Sequence, residues 1–204
     1  MRLILTRHGQ TQWNHQHRTQ GRTDVPLDKT GQAQAAAFAR RIEGVHLDAV
    51  YSSPLSRAYD TAFPAAQAAG LRVIPDDRLV EREFGDWEGV AFGDLEKQFP
   101  GIWKEWLVNP YAAQPPRAES MEAVKDRCAD FLEYLFSRYR SEETVLVVCH
   151  SIPARFLIAL LLQLPLTNLH SIRLENASYT EFFCTEQCNA LVTYNDTCHL
   201  KGIS

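Results

Sequence analysis

The chain has 204 residues, 45% hydrophobic and 23% charged, with a formal net charge of -4. That length fits one domain with a sizeable core. The charge excludes a general affinity for nucleic acid, so an anionic ligand has to be drawn by a local cluster of arginines. Phe156 to Leu166 comes nearest to an apolar run of membrane-spanning length, and Pro165 interrupts it, so no membrane span is expected. The five cysteines (Cys128, Cys149, Cys184, Cys188 and Cys198) are odd in number and form no C-x-x-C pair, the pattern of reduced thiols in a cytoplasmic protein. Metal contact at Cys198-His199, or at Cys184 with Cys188, is the weaker alternative. Met1-Arg2 leads straight into a strand, so no signal peptide is expected.

In chain order, Arg2 to Thr6 reads as a short buried strand, and a polar run, Arg7-His8-Gly9-Gln10-Thr11-Gln12-Trp13-Asn14, follows at once. A strand ending this way sets the run at the carboxyl edge of a sheet, where open α/β sheets bind ligands. An imidazole there can be a nucleophile or a base, and an adjacent Arg can grip an anion by two parallel hydrogen bonds. Gly9 would let the backbone approach whatever is bound. The polar stretch continues to Asp24 as a long loop. Asp28 or Thr30 caps a helix that runs to about Glu43.

Leu47 to Tyr51 is a second strand, followed by Ser52 or Ser53 as cap of a helix with Pro54 in its first turn and Arg57 near its positive end. Leu71 to Ile74 is a third strand. The acidic segment Glu81-Arg82-Glu83-Phe84-Gly85-Asp86-Trp87-Glu88 comes next, with Trp87 read as core. Gly93 to Glu105 is a short helix. Asn109 to Glu119, with three prolines, makes a lid or insertion within about residues 91–120. Ser120 or Glu119 opens a helix whose stripe is Met121, Val124, Cys128, Phe131, Leu132 and Leu135. Thr144 to Cys149, rich in β-branched residues, is the clearest buried parallel strand. It ends in His150-Ser151, and Pro153 opens a helix through Leu162. A second histidine thus sits at a strand-to-helix turn, where free backbone N–H groups favour an anion. Ser178 to Thr185 and Ala190 to Asn195 close the chain as a pair of strands. A single domain over 1–204, of three-layer α/β/α architecture with a mainly parallel sheet, accounts for this order.

Four of these segments together resemble the signature of the histidine phosphatase superfamily, which has a phosphoglycerate mutase-like fold. They are Arg7-His8-Gly9-x-Thr11-x-x-Asn14, Ser52-Ser53-Pro54-Leu55-x-Arg57-Ala58-x-x-Thr61-Ala62, the Glu81 segment with Gly85-x-Trp87-Glu88-Gly89, and His150-Ser151. Ser151 stands where the family usually has Gly. The resemblance implies His8 as nucleophile, Glu81 as acid catalyst, and Arg7, Arg57 and His150 as partners of the phosphoryl oxygens. It also implies substrate contacts at Asn14, Gln20, Gly21, Arg82 and Ser151. Glu81 is singled out by motif register alone, since Glu83, Asp86 and Glu88 lie close by. Those carboxylates would help to raise its pKa.

The implied activity is metal-independent hydrolysis of a small phosphorylated metabolite through a phosphohistidine, with no cofactor and with a homodimer left open. Mutase-type phosphotransfer is the first alternative. Mutases of the family carry His after the Glu-Arg pair, however, where this chain has Glu83, and they have a longer lid. A catalytically silent module that binds phosphorylated ligands is the second. Asn176 to Tyr179 and Thr197 to Leu200 resemble the phosphoserine phosphatases. Those enzymes have an additional His where Phe84 precedes Gly85, so the leaving group stays open.

Overall fold

Alternate residues of two neighbouring strands feed two separate cores. In a computed structural model, which describes residues 1–185 and 187–203, β1 (Arg2–Arg7) runs parallel to β4 (Thr144–Cys149), with Leu3 beside Val145 and Arg7 beside Cys149. Leu3, Leu5, Val145, Val147 and Cys149 enter one core, and Ile4, Leu146 and Val148 the other. Period-two side-chain alternation on a sheet buried on both faces produces this division.

The described strands form one sheet in the order β3-β2-β4-β1-β5-β6. Strands β2 (Ala49–Ser52) and β3 (Val73–Pro75) are parallel to β4 and β1, while β5 (Tyr179–Cys184) runs antiparallel to β1 and β6 (Asn189–Asp196) antiparallel to β5. Helices α2 (Lys29–Arg41) and α3 (Ser56–Ala68) cover the face carrying Ile4. Helices α6 (Met121–Arg138) and α7 (Ser151–Leu161) cover the other. This is the three-layer α/β/α arrangement. From β1 the chain crosses to β2, beyond β4, and from β4 it crosses to β5, beyond β1. The carboxyl ends of β1 and β4 therefore flank a switch point, where such sheets bind ligands.

The stripe expected on α6 is wholly buried, and Ser120 caps that helix by accepting the Ala123 N–H at 3.1 Å. Each fully buried Leu, Val or Phe there contributes roughly 1.5–3 kcal/mol. Asp28, rather than Thr30, caps α2, accepting from Gly31 N at 2.8 Å. Other boundaries differ from the sequence reading for local reasons. The polar run to Asp24 contains a short helix, α1 (Gln12–His15), closed by a reciprocal Thr11–Asn14 capping box. Neither Ser52 nor Ser53 caps α3; its N-cap is Leu55, and Ser53 Oγ accepts the Leu55 N–H instead. The third strand begins at Val73, because Leu71 N still closes the end of α3 on Ala66 O at 2.9 Å. The helix expected over 93–105 is split into α4 (Phe92–Gln98) and α5 (Pro100–Val108) at Pro100, which has no N–H to continue the first helix. Helix α7 starts at Ser151, two residues ahead of the expected Pro153, which sits in its first turn. No described helix is long and apolar enough to cross a membrane.

Gly9 has a packing task besides the one read in the sequence. A Cβ on Gly9 would lie 2.7 Å from Gly31 O, and a Cβ on Gly31 would lie 2.0 Å from Gln10 O. The two glycines let the start of α2 pack directly on the loop that follows β1. Gly31→Ala should therefore cost about 1–3 kcal/mol, the usual range for overpacking. Thermal melts check this; an unchanged Tm would show that the loop yields freely.

Candidate active site

Backbone pairing brings two histidines together. His8 N donates to Cys149 O at 2.9 Å, which extends the β1–β4 ladder by one residue and puts His8 beside His150. Their ring centroids are 5.1 Å apart. Both rings are buried at the floor of the carboxyl edge. Arg7, His8, Arg57 and Glu81 line one cavity of about 290 Å³ there, together with Asn14, Gln20, Gly21 and Ser151. A wider groove of about 530 Å³ at the amino edge, around Met1, Tyr139 and Cys184, has no histidine or carboxylate among its described lining residues.

The chemistry of His8 is set by three neighbours. Its Nδ1 lies 2.6 Å from Gly9 O, so Nδ1 carries the proton and Nε2 keeps its lone pair. Burial, then the Arg57 and Arg7 charges, hold its pKa well below the ordinary histidine range, against a smaller opposing effect of the Gly9 carbonyl. The ring is neutral at pH 7. Gly9 is itself held, its N–H on Thr61 Oγ1 at 2.9 Å, while Asn176 Nδ2 donates to His8 O at 2.8 Å.

His150 is lowered in the same way, by burial first and then by Arg57, His8 and Arg7. Its Nε2 meets Ser53 Oγ at 2.8 Å. Its Nδ1 is buried with no partner among the described residues, and so are Arg7 Nε and Arg57 Nε. Arg7 is tied to Leu174 O at 3.0 Å, and Arg57 to Thr23 O at 3.0 Å and Gly21 O at 2.7 Å. Burial lowers the Arg7 pKa to about 10, which leaves it fully charged at neutral pH. Gly21 takes a positive φ of 57°, and a Cβ there would strike the Glu88 carboxylate at 1.9 Å, so the segment that offers its carbonyl to Arg57 requires glycine.

Of the four neighbouring carboxylates, Glu81 is the one on the cavity wall. It accepts from Arg82 N at 2.8 Å and Ile152 N at 3.3 Å. Its pKa is raised, and burial rather than the acidic neighbours is the leading cause; Arg82 N, Arg57 and Arg7 oppose it. Glu83 is exposed, Asp86 pairs with Arg117, and Glu88 is occupied by Arg22 N, Thr23 and Phe84 N.

Arg82 departs from its expected place. It is fully buried and lies off the cavity wall, donating to Glu119 O at 2.8 Å, Ala113 O at 3.3 Å and Gln114 Oε1 at 3.2 Å. It secures the 113–119 loop rather than facing a substrate, because successive residues of an extended segment point to opposite sides and Glu81 takes the inward one. Sequence reasoning also missed seven cavity residues, Arg18, Thr19, Phe84, Phe92, Trp106, Ile152 and Arg155. The signal for Arg155 is its spacing, one helical turn from Ser151 on α7. Trp87 packs in the core against Phe99, Trp103 and Trp106, at centroid distances of 6.3, 6.1 and 5.3 Å.

The model of the histidine phosphatase superfamily (branch 1) matches residues 3–197. Phosphoserine phosphatase 1 of Hydrogenobacter thermophilus is 36% identical over 200 residues, covering 98% of this chain and 94% of its own length. Among solved structures, a mycobacterial glucosyl-3-phosphoglycerate phosphatase in complex with VO3 superposes with a TM-score of 0.87 at 32% identity, over 96% of this chain and 99% of the other. The α-ribazole phosphatase of Shigella flexneri gives 0.87 at 28% identity, over 96% of each chain. The chain belongs to branch 1 of the histidine phosphatase superfamily, and it is a phosphatase.

The two depressed histidines make stability depend on pH with a definite sign. A ring whose folded pKa lies below its unfolded value of 6.5 contributes stability above that value, and the contribution is lost as pH falls toward the folded pKa. His8→Gln removes one such ring. Between about pH 7.5 and 5.5, the range in which histidine titrates, the wild-type Tm should fall further than that of the variant. Parallel pH profiles would contradict the buried, neutral assignment.

Proposed function

We propose that the protein hydrolyses phosphomonoesters of small metabolites through a phosphohistidine on His8. The observation that carries this reading is a neutral, carbonyl-oriented His8 surrounded by buried donors without protein partners. His8 Nε2 attacks phosphorus in line, and the P–O bond to the leaving group breaks. Arg7, Arg57 and His150 Nδ1–H take the three equatorial oxygens, where charge stabilisation does most of the catalytic work. Ser53 gives its proton to His150 Nε2, which keeps the proton of that ring on Nδ1. Glu81, in the protonated form that its burial favours, donates to the leaving oxygen. It then takes a proton from the water that attacks phosphohistidine, releasing phosphate and restoring both groups. No metal or cofactor enters the scheme, so EDTA should leave turnover unchanged.

Asn14, Gln20, Gly21 and Ser151 supply the polar wall. Phe92 and Trp106, from residues 91–120, also line it, which supports one domain with a small lid. The cavity, at about 290 Å³, sits at the small end of the ligand-pocket range of about 300–1,000 Å³, and this supports small substrates. The esters in the names of the relatives, phosphoserine, glucosyl-3-phosphoglycerate and α-ribazole phosphate, define the class from which we draw the substrate. The five cysteines are unpaired, three of them buried, which supports a cytoplasmic setting. The exposed Leu191, Val192 and Tyr194 on edge strand β6 support a homodimer, which light scattering would read directly.

Glu81→Gln tests the scheme. An alkyl phosphate releases a basic alkoxide and needs the proton, whereas nitrophenyl phosphate releases a stable phenolate. The variant should slow on alkyl esters by roughly 10² to 10⁴, the usual worth of a positioned acid. On nitrophenyl phosphate it should give a burst of nitrophenol and then a slow phase, because Glu81 also activates the water. If Glu83→Gln behaves this way while Glu81→Gln matches wild type, the acid is misassigned. If neither variant separates the two esters, the acid lies elsewhere.

A further inference from the structure

Arg155 differs from the other guanidinium groups of the cavity in that the fold does not hold it. Arg7 and Arg57 are tied to backbone carbonyls, and Arg18 donates to Gly89 O at 2.7 Å. The buried Nε of Arg155 has no partner among the described residues, and Arg155 enters none of the ion pairs found among them. The Glu81 carboxyl is near enough to act on its charge, but no anion hydrogen-bonds to it among the described residues, and a half-buried guanidinium left so is costly unless a ligand completes it. Arg155 lies close enough to Arg7 to oppose its charge, and burial has stripped it of much of its water.

Its position on α7 says what the ligand adds. Ser151, Ile152 and Arg155 present one face of the helix to the cavity. Side chains four residues apart stand about 5–6 Å from each other along such a face. Arg155 is therefore offset by one turn from Ser151 and the His8–His150 floor. That offset suits an anionic group joined to the phosphate by a short carbon chain. A planar fork of donors matches a carboxylate in two parallel hydrogen bonds.

We propose that Arg155 is a specificity residue that receives a substrate carboxylate, so that short phosphorylated acids are preferred over the same esters without the acid group. The proposal rests on the phosphatase reading and narrows it to one substrate class.

Two matched pairs of probes test it: O-phosphoserine with O-phosphoethanolamine, and 3-phosphoglycerate with glycerol 3-phosphate. In wild type the acid should exceed its partner in kcat/KM by at least about tenfold, in line with a charge-assisted hydrogen bond of about 1.5–3 kcal/mol. In Arg155→Met that ratio should collapse toward one, with the change in KM of the acid rather than in kcat. Arg155→Lys, which keeps the charge and loses the fork, should restore part of the ratio. No preference in wild type overturns the proposal without reference to any variant. A ratio that survives in Arg155→Met, because both members lose activity equally or neither does, also overturns it. Turnover of nitrophenyl phosphate separates the two levels. If wild type cleaves it without preferring either acid, only the role of Arg155 fails; if it cleaves none of these esters, the phosphatase reading fails as well.

Discussion

The 2.6 Å hydrogen bond between His8 Nδ1 and Gly9 O is the constraint on which the site depends. It decides which ring nitrogen is free, and much of the fold serves to hold the Gly9 peptide still. Thr61, on α3, accepts the Gly9 N–H and gives its own proton to Arg57 O at 2.7 Å, so one hydroxyl fixes the loop to the helix that carries Arg57. Asn176, just before β5, donates to the carbonyls of His8 and Gly9. The close approach of Gly31 packs α2 against the same turn. Three elements distant in sequence thus converge on one peptide unit.

Charge is managed by the same economy of means. The chain is net negative, yet its cavity concentrates arginines, with Arg57 fully buried and Arg7 and Arg155 partly so. Backbone carbonyls of Leu174, Thr23 and Gly21 hold Arg7 and Arg57, and the one ion pair found for either among the described residues is Arg57 with the exposed Asp24, at a long 4.0 Å. A carboxylate partner in their place would cancel the field that a phosphoryl group needs. That field also depresses both histidines, so the charges that would bind the substrate keep the nucleophile unprotonated. Glu81 escapes the opposite fate because its burial outweighs the arginines, and it stays poised to hold a proton. The acid and the base take their states from one environment acting on groups of opposite charge type.

The parts of the site legible in the sequence are those at element boundaries. His8 and His150 each follow a buried apolar run, and such a run ending in a titratable group has few other places to go. Arg57 was readable as a helix-start residue, although the helix begins at Ser56, capped by Leu55, and Ser53 supports His150. Glu81 and Arg82 show the limit of motif register: adjacent residues in an extended segment face opposite ways, and only the fold shows which way each points. Arg155 left only a faint mark in the sequence, its spacing of one turn from Ser151. A lone arginine on an otherwise apolar helix looks solvated, and its lack of a partner is a property of the surroundings rather than of its neighbours in the chain. The pairing of Gly9 with Gly31 joins residues 22 positions apart and leaves no local mark.

The central claim is that the phosphoryl group passes through His8 Nε2. Its most direct test is to mix the Glu81→Gln variant with nitrophenyl phosphate, quench in alkali where phosphohistidine survives, and locate the phosphate by peptide mass spectrometry and ³¹P NMR. The account predicts one phosphate per chain on His8, bonded at Nε2. Phosphate found on His150, on Nδ1 of His8, or on no residue during a nitrophenol burst would contradict it.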